Sequence, residues 1–255
     1  MKKILVILTV LVVFAGCKPT KLQELFLDNV SVLSNGIIHI EGRAKGAFEN
    51  TVGIKIMDSE GILIFQGPSV TDAKEPNKLG KFSSDIELPF FPQTDTVKVE
   101  CFIESAKDGS ILESKEKNID YNMPYKIVKV YFSNEKENPE MLDCSKVYPV
   151  ERRISLASKN AAIDTLKLLI LGPTQKEKDN GYILTTPQNL TINFVRVEGN
   201  KVQVDFSSEL LSAGGGSCRV IAIRAEITET VRQFYPTGYE VIISANGNWE
   251  EVLQP

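Results

Sequence analysis

The residues best placed to do chemistry lie in the stretch "AGGGSC", Ala213 to Cys218, where three glycines run into Ser217 and Cys218 and a helix-like pattern follows at once. Free backbone N–H groups ahead of a helix N-terminus can hold an anion. Gly214, Gly215, Gly216 and Ser217 are therefore candidate binding residues. A Walker loop needs a lysine directly after its glycines, and none follows here. A dinucleotide fingerprint needs G-x-G-x-x-G inside a βαβ unit, and Gly214 and Gly216 supply only its first half. Cys218 at a helix N-terminus would have a stabilised thiolate. A cysteine hydrolase also needs a general base, and the single histidine, His39, lies far away in an alternating run. The order Gly216-Ser217-Cys218 lacks the G-x-S-x-G frame of a hydrolase elbow. No catalytic residue is assigned, and no metal or cofactor is expected, since His39 has no His or Cys at metal spacing. The acidic run of Glu135, Glu137, Glu140 and Asp143 does not have EF-hand spacing and reads as a solvated loop.

The remaining reading of Cys218 is structural. The chain has 255 residues and four cysteines. It opens "MKKILVILTVLVVFAGC": two lysines, an apolar run too short for a span of about 20 residues, and small residues before Cys17. This is a secretory signal peptide, residues 1–16, and its "FAGC" ending resembles a bacterial lipobox. Cleavage before Cys17 and lipidation of that cysteine are expected, with residues 17–24 as a polar tether. The rest of the chain is then extracytoplasmic and anchored to the bacterial membrane by acyl chains. With Cys17 consumed, Cys101, Cys144 and Cys218 remain, which allows one bridge and one leftover thiol. Cys101 sits in the strand-like "TVKVECFIES" as a buried small residue. The favoured disulfide is therefore Cys144–Cys218. Net charge is −4 and falls by two more when Lys2 and Lys3 leave with the signal peptide. A mildly acidic chain without a basic block excludes nucleic acid as a partner.

The elements that must position these residues change period along the chain. Residues 25–118 read as all-β. "NVSVLSNGIIHIEGRA" holds two alternating runs around Asn35-Gly36, a type I′ hairpin signal, and five further strands follow at roughly ten-residue spacing. Residues 119–125 read as a linker. Beyond it, "YKIVKVYFS" and "ERRISLA" are strands, and "SKNAAIDTLKLLILGP" is a helix capped by Ser158, with Ala162, Ile163, Leu166, Leu169 and Ile170 on one face. "LTINFVRV" and "KVQVDFSS" form a hairpin. A second helix runs from about Cys218 to Phe234, with Ile223, Ile227, Val231 and Phe234 as its stripe, and "YEVIISANG" closes as a strand. The expected architecture is an immunoglobulin-like sandwich followed by an α+β domain, two helices on one sheet in β-β-α-β-β-α-β order. Glu151, Arg152 and Arg153 read as surface ion pairing. Trp249, with Tyr235 and Tyr239, reads as cover for the core edge, with an aromatic ligand surface as the alternative.

Residues 126–255 resemble the GerMN domain of sporulation and germination proteins. The matching stretches are "VKVYFS", "LKLLILGPTQKEKDNGY", "VQVDFSSEL" and "GGGSCRVIAIRAEI", and "LLxLGPT" followed by "GY" and "TTP" is the most specific. Residues 29–118 resemble Gmad2, an immunoglobulin-like module found beside GerMN, through "IEGRAKGAFENTVGIKIMDSEG". The resemblance implies a non-enzymatic, lipid-anchored scaffold of the cell envelope, acting on envelope proteins or on peptidoglycan. The GerMN fold is similar to ring-building motifs of secretion-type assemblies, and no catalytic activity goes with it. A peptidoglycan or glycan binding module is the second reading, and an enzyme using Cys218 the third.

Overall fold

The computed structural model describes residues 23–75, 77–211, 216–249 and 252–253. The expected signal peptide, the expected lipidation site Cys17 and most of the expected tether lie outside them. The N-terminal module consists of two antiparallel sheets. One has the order β1-β2-β5, from Glu24–Val32, Ile38–Lys45 and Gly80–Ile86. The other has the order β4-β3-β6-β7, from Leu63–Val70, Thr51–Asp58, Thr96–Glu104 and Ile111–Asp120. Period-2 patterning explains the packing. Val52, Ile54 and Ile56 of β3, with Val97, Val99 and Cys101 of β6, all point into the interface between the sheets and are fully buried. Burial pushes the Cys101 thiol up to about 12, so it stays neutral in the core.

The first hairpin differs from the sequence expectation. Gly36 has φ +85° but Asn35 is not left-handed, and Leu33 N–H bonds Ile37 O while Gly36 N–H bonds Leu33 O. The turn is a three-residue loop closed by a left-handed glycine, not a type I′ pair. His39 lies on β2, with Nδ1 2.6 Å from Asp85 Oδ1 and Nε2 3.4 Å from Glu41.

Strand β7 runs on to Asp120 and the next strand starts at Tyr125, so only residues 121–124 separate the modules. That segment is held in place. Tyr121 is buried in the sandwich and its hydroxyl donates to Gly36 O at 3.0 Å. Arg153 ties the second module back to the first. Its guanidinium reaches Asp95 and lies 4.3 Å over the Tyr125 ring, while its N–H donates to Gln93 Oε1 at 2.8 Å.

The C-terminal module contains β8 (Tyr125–Asn134), β9 (Tyr148–Ser155), α1 (Ala161–Leu171), α2 (Gln175–Asp179), β10 (Tyr182–Ile183), β11 (Ile192–Glu198), β12 (Lys201–Phe206), α3 (Ser217–Arg232) and β13 (Glu240–Ala245). Its strands form two three-stranded sheets, β10-β8-β9 and β11-β12-β13, where one sheet was expected. The reason is visible at the free edge of β8. Lys129, Tyr131 and Ser133 donate their backbone N–H groups there to Gln233, Thr230 and Glu226, all carried by α3 and its C-terminal end. A helix thus closes the edge that another strand would have needed. α3 is also the crossover that lets β13 run parallel to β12. The short α2 and β10 are additions to the expected order.

Helix α1 is capped by Asn160, which accepts from Ile163 N–H at 3.1 Å; Ser158 instead donates to Asp164. Its buried face is Ala162, Thr165, Leu166, Leu168 and Leu169, with Ile163 and Ile170 only partly buried. The face is rotated from the expected one because α1 lies against both β8 and β11 as well as α3. On α3, Ile223, Ile227 and Val231 are fully buried, and Phe234 lies beyond the helix end, packed against the same core.

Candidate functional site

Cys144 and Cys218 are joined in a disulfide with Cα atoms 5.1 Å apart. The bridge fastens the first turn of α3 to the loop that leads into β9. Gly216 is the N-cap of α3, with φ −63° and open space where a Cβ would stand. Backbone freedom therefore does not require glycine at 216. Gly216 and Ser217 are exposed, and Gly214 and Gly215 lie outside the described residues.

In the same turn, Arg219 connects this helix end to a groove. Its guanidinium donates to Thr185 O at 3.3 Å. The groove, of about 740 Å³, runs between α3 and the segment 173–189; Tyr182, Gln188, Asn189 and Pro187 form its walls, with Lys178 and Arg219 at the rim. Among the described residues that line it, the two charged ones, Lys178 and Arg219, are cations, so its chemistry suits an anionic group.

The segment folds as it does for local reasons. Gly172 ends α1 at φ +87° and ψ −176°, a backbone that only glycine adopts without strain. Thr174 then opens α2 with a capping box: its hydroxyl accepts from Glu177 N–H while Glu177 accepts from Thr174 N–H at 2.8 Å. Glu177 also takes both terminal nitrogens of Arg152, which is 6% exposed. Sequence reading put Arg152 in a surface ion pair; it is instead a buried bidentate anchor, while Arg153 bridges the modules. Burial raises the Glu177 carboxyl, but Arg152 and the Thr174 amide outweigh it and hold the pKa below the ordinary carboxylate range.

The opposite wall hangs on Glu226. This carboxylate is completely buried on α3. Oε1 accepts from Ser133 N–H, Ser133 hydroxyl and Thr185 N–H; Oε2 accepts from Thr186 N–H and hydroxyl, at 2.8 to 3.3 Å. Burial raises its pKa, and these donors oppose that shift. The "TTP" turn, residues 185–187, is thereby pinned to β8 and α3 at once. The sequence analysis does not single out Glu226. The available signal was its position: it falls between Ile223 and Ile227 on the apolar stripe.

The other candidates stay apart from this groove. Tyr235 and Tyr239 stack with centroids 6.3 Å apart and pack against the core, whereas Trp249 is 63% exposed. The acidic loop is organised internally: Asp143 accepts from Ser145, and Asn138 donates to Asp143 O. Among the described residues no group of three or more His, Cys, Asp or Glu could hold a metal ion. Among them also, no helix is long and apolar enough to cross a membrane.

Comparison with known proteins adds the following. Residues 129–251 match the Germane family model, described as sporulation and spore germination. Residues 31–110 match Gmad2, the immunoglobulin-like domain of bacterial spore germination. No curated protein matches the chain. Among solved structures, it is similar to the tandem GerMN domains of the sporulation protein GerM from Bacillus subtilis, at 19% identity and TM-score 0.40, covering 50% of this chain and 41% of that one. It is also similar to the first GerMN domain of that protein, at 22% identity and TM-score 0.35, covering 49% of this chain and 85% of that one. The chain thus spans about two fifths of the tandem-domain protein.

Proposed function

From a chain that carries a Gmad2 domain followed by a Germane domain, we propose a non-enzymatic, lipid-anchored binding and scaffold protein of the bacterial cell envelope. Cys17 carries the lipid, the sandwich stands nearest the membrane, and the Germane domain presents its groove to an envelope partner with acidic groups. The observation that carries this reading is the groove itself. Two cations face into it from walls held by buried hydrogen bonds, Arg152–Glu177 on one side and Glu226 on the other. Such preorganisation lowers the ordering cost of binding. The residues that could have done nucleophilic chemistry are committed elsewhere. Cys218 is bonded to Cys144, Cys101 is buried, and His39 faces Asp85 on the sandwich.

Crosslinking in intact cells, followed by membrane pull-down, tests the proposal. The wild-type chain should recover an envelope protein that Lys178→Glu/Arg219→Glu loses. Equal recovery by the charge-reversed chain would refute the groove. In parallel, Cys17→Ala should release the chain from the membrane and abolish acylation; unchanged acylation would remove the anchor from the account. A peptidoglycan ligand is the second reading, favoured by the mixed amide and aromatic lining of Gln188, Asn189 and Tyr182. It predicts sedimentation with purified cell wall.

A further inference from the structure

A second pocket lies in the sandwich module, remote in sequence from the Germane groove, and its chemistry is different. It has a volume of about 440 Å³, within the range of roughly 300–1,000 Å³ usual for ligand pockets. Its rim is the turn Phe48–Asn50 just before β3. Phe48 is 58% exposed. The next two residues, Glu49 and Asn50, both adopt left-handed backbone at φ +50° and +56°. Neither is glycine, so each is held in a backbone region that L side chains rarely adopt. The surrounding chain enforces the conformation: Thr71 N–H donates to Asn50 O at 2.8 Å and Asn50 Nδ2 donates to Ala73 O at 3.0 Å. The turn is thus held with the Phe48 ring facing outward.

The floor is equally specific. Phe102 of β6 is only 2% exposed, yet it is not part of the sandwich core; it sits on the outer face of the sheet opposite Gly53 of β3. A Cβ at residue 53 would collide with the Phe102 ring, so glycine there keeps the ring down and the pocket open. Lys55 Nζ lies 4.6 Å from the ring centroid on the same face. Glu49, Gln66 and Glu104, with the hydroxyls of Thr51 and Ser105, supply the polar lining, and no lysine or arginine joins them. Glu49 and Glu104 in the lining repel a phosphate or sulfate, and the ammonium of Lys55 is already engaged over the floor ring. A saccharide fits each part: its C–H face packs on an exposed aromatic ring, and its hydroxyls donate to carboxylates and exchange bonds with an amide.

We infer that the Phe48–Phe102 pocket of the sandwich module is a binding site for a neutral saccharide. The site is independent of the Germane groove and gives the protein a second contact with the envelope.

The test is calorimetric titration of the full chain, purified in mild detergent, with an N-acetylglucosamine tetramer, a glucose tetramer and a lysine tetrapeptide as separate arms. Saturable binding of either sugar, weakened at least tenfold by Phe48→Ala and by Glu104→Gln at unchanged melting temperature, is the expected result. Should Phe48→Ala lower the melting temperature, Gln66→Ala probes the same pocket without touching the ring, and the same loss is expected. Absence of saturable sugar binding, sugar binding indifferent to these substitutions, or binding of the lysine peptide alone would each overturn the assignment. Preference between the two sugars tells whether the acetamido group is read.

Discussion

The sandwich module packs its interior with Ile38, Ile40, Val52, Ile54 and Ile56 around a free thiol, Cys101. The Germane module instead runs Arg152, Asp205 and Glu226 through buried positions and adds a crosslink between Cys144 and Cys218. The difference follows from what each must hold. Antiparallel strands satisfy their own backbone and need only apolar packing between sheets. The Germane module must fix an irregular segment, residues 172–191, against a helix, and an irregular segment brings backbone donors that strands would have paired. Glu226 supplies acceptors for Thr185 and Thr186; Glu177 does so for Thr174. Arg152 and Glu226 are thus buried where the fold is shaped around the groove, whereas buried Asp58 of the sandwich holds a turn by accepting from Glu60 and Ile62 N–H.

That comparison can be broken at several points. The largest effect is expected from Cys144→Ala/Cys218→Ala. Releasing a loop of this length costs about 4 kcal/mol in the loop-entropy account. Equilibrium unfolding with probes in each module should show the Germane transition shifted to lower denaturant and the sandwich transition nearly unmoved. Equal shifts in both would mean that the modules unfold as one.

Glu226→Ala comes next. It leaves three backbone N–H groups without their acceptor in a dry site, at about 3 kcal/mol. Amide exchange at residues 185 and 186 should accelerate more than exchange in α1. Uniform acceleration would show that Glu226 acts on global stability instead of on the groove wall.

In the sandwich, Cys101→Ser places a hydroxyl among apolar side chains at a cost of about 2 kcal/mol. The wild-type thiol, buried and held neutral, should resist alkylation until denaturant unfolds the sandwich, and labelling of the unfolded, non-reduced protein should find Cys101 and neither Cys144 nor Cys218. Rapid labelling of the native chain at pH 8 would contradict the burial argument.

Acid gives a smaller contrast. Glu177 has a depressed pKa in the folded state, so its contribution is complete above the ordinary carboxylate range and is lost as pH falls through the folded value. The Germane transition should weaken below about pH 4.5, and Glu177→Gln should flatten that dependence. His39 gives the smallest effect and the opposite sign. Its hydrogen bond to Asp85 raises the imidazole pKa against a slight desolvation cost, so its contribution is present below the unfolded value of about 6.5 and fades as pH rises through the folded one. His39→Gln should remove a slight weakening of the sandwich near neutral pH.

Much of this was legible in the chain before any coordinates. Alternation in "VGIKIMD" and "TVKVECFIES" identifies β3 and β6, and the cysteine arithmetic singles out Cys144 and Cys218. What could not be read is the partition into two sheets, because it depends on Glu226, Thr230 and Gln233 meeting the edge of β8 about a hundred residues away in sequence. Arg152 was misplaced for the same reason, since its partner Glu177 lies across the fold. The stretch "AGGGSC" reads as a site, yet the groove is lined by the residue just after it, Arg219, to which no local motif points. The Phe48 pocket was not visible at all: its left-handed turn has no glycine, and Phe102 alternates like any strand residue.

The most direct measurement replaces Gln188, at the exposed wall of the groove, with a photo-crosslinking residue in living cells. The account predicts a single predominant crosslinked envelope species that disappears when Lys178→Glu/Arg219→Glu is added. It also predicts that the species is absent when the same probe stands at Val197, on the exposed side of β11. A crosslink that forms equally from Val197, or that survives the charge reversal, would contradict the groove as the working surface of this protein.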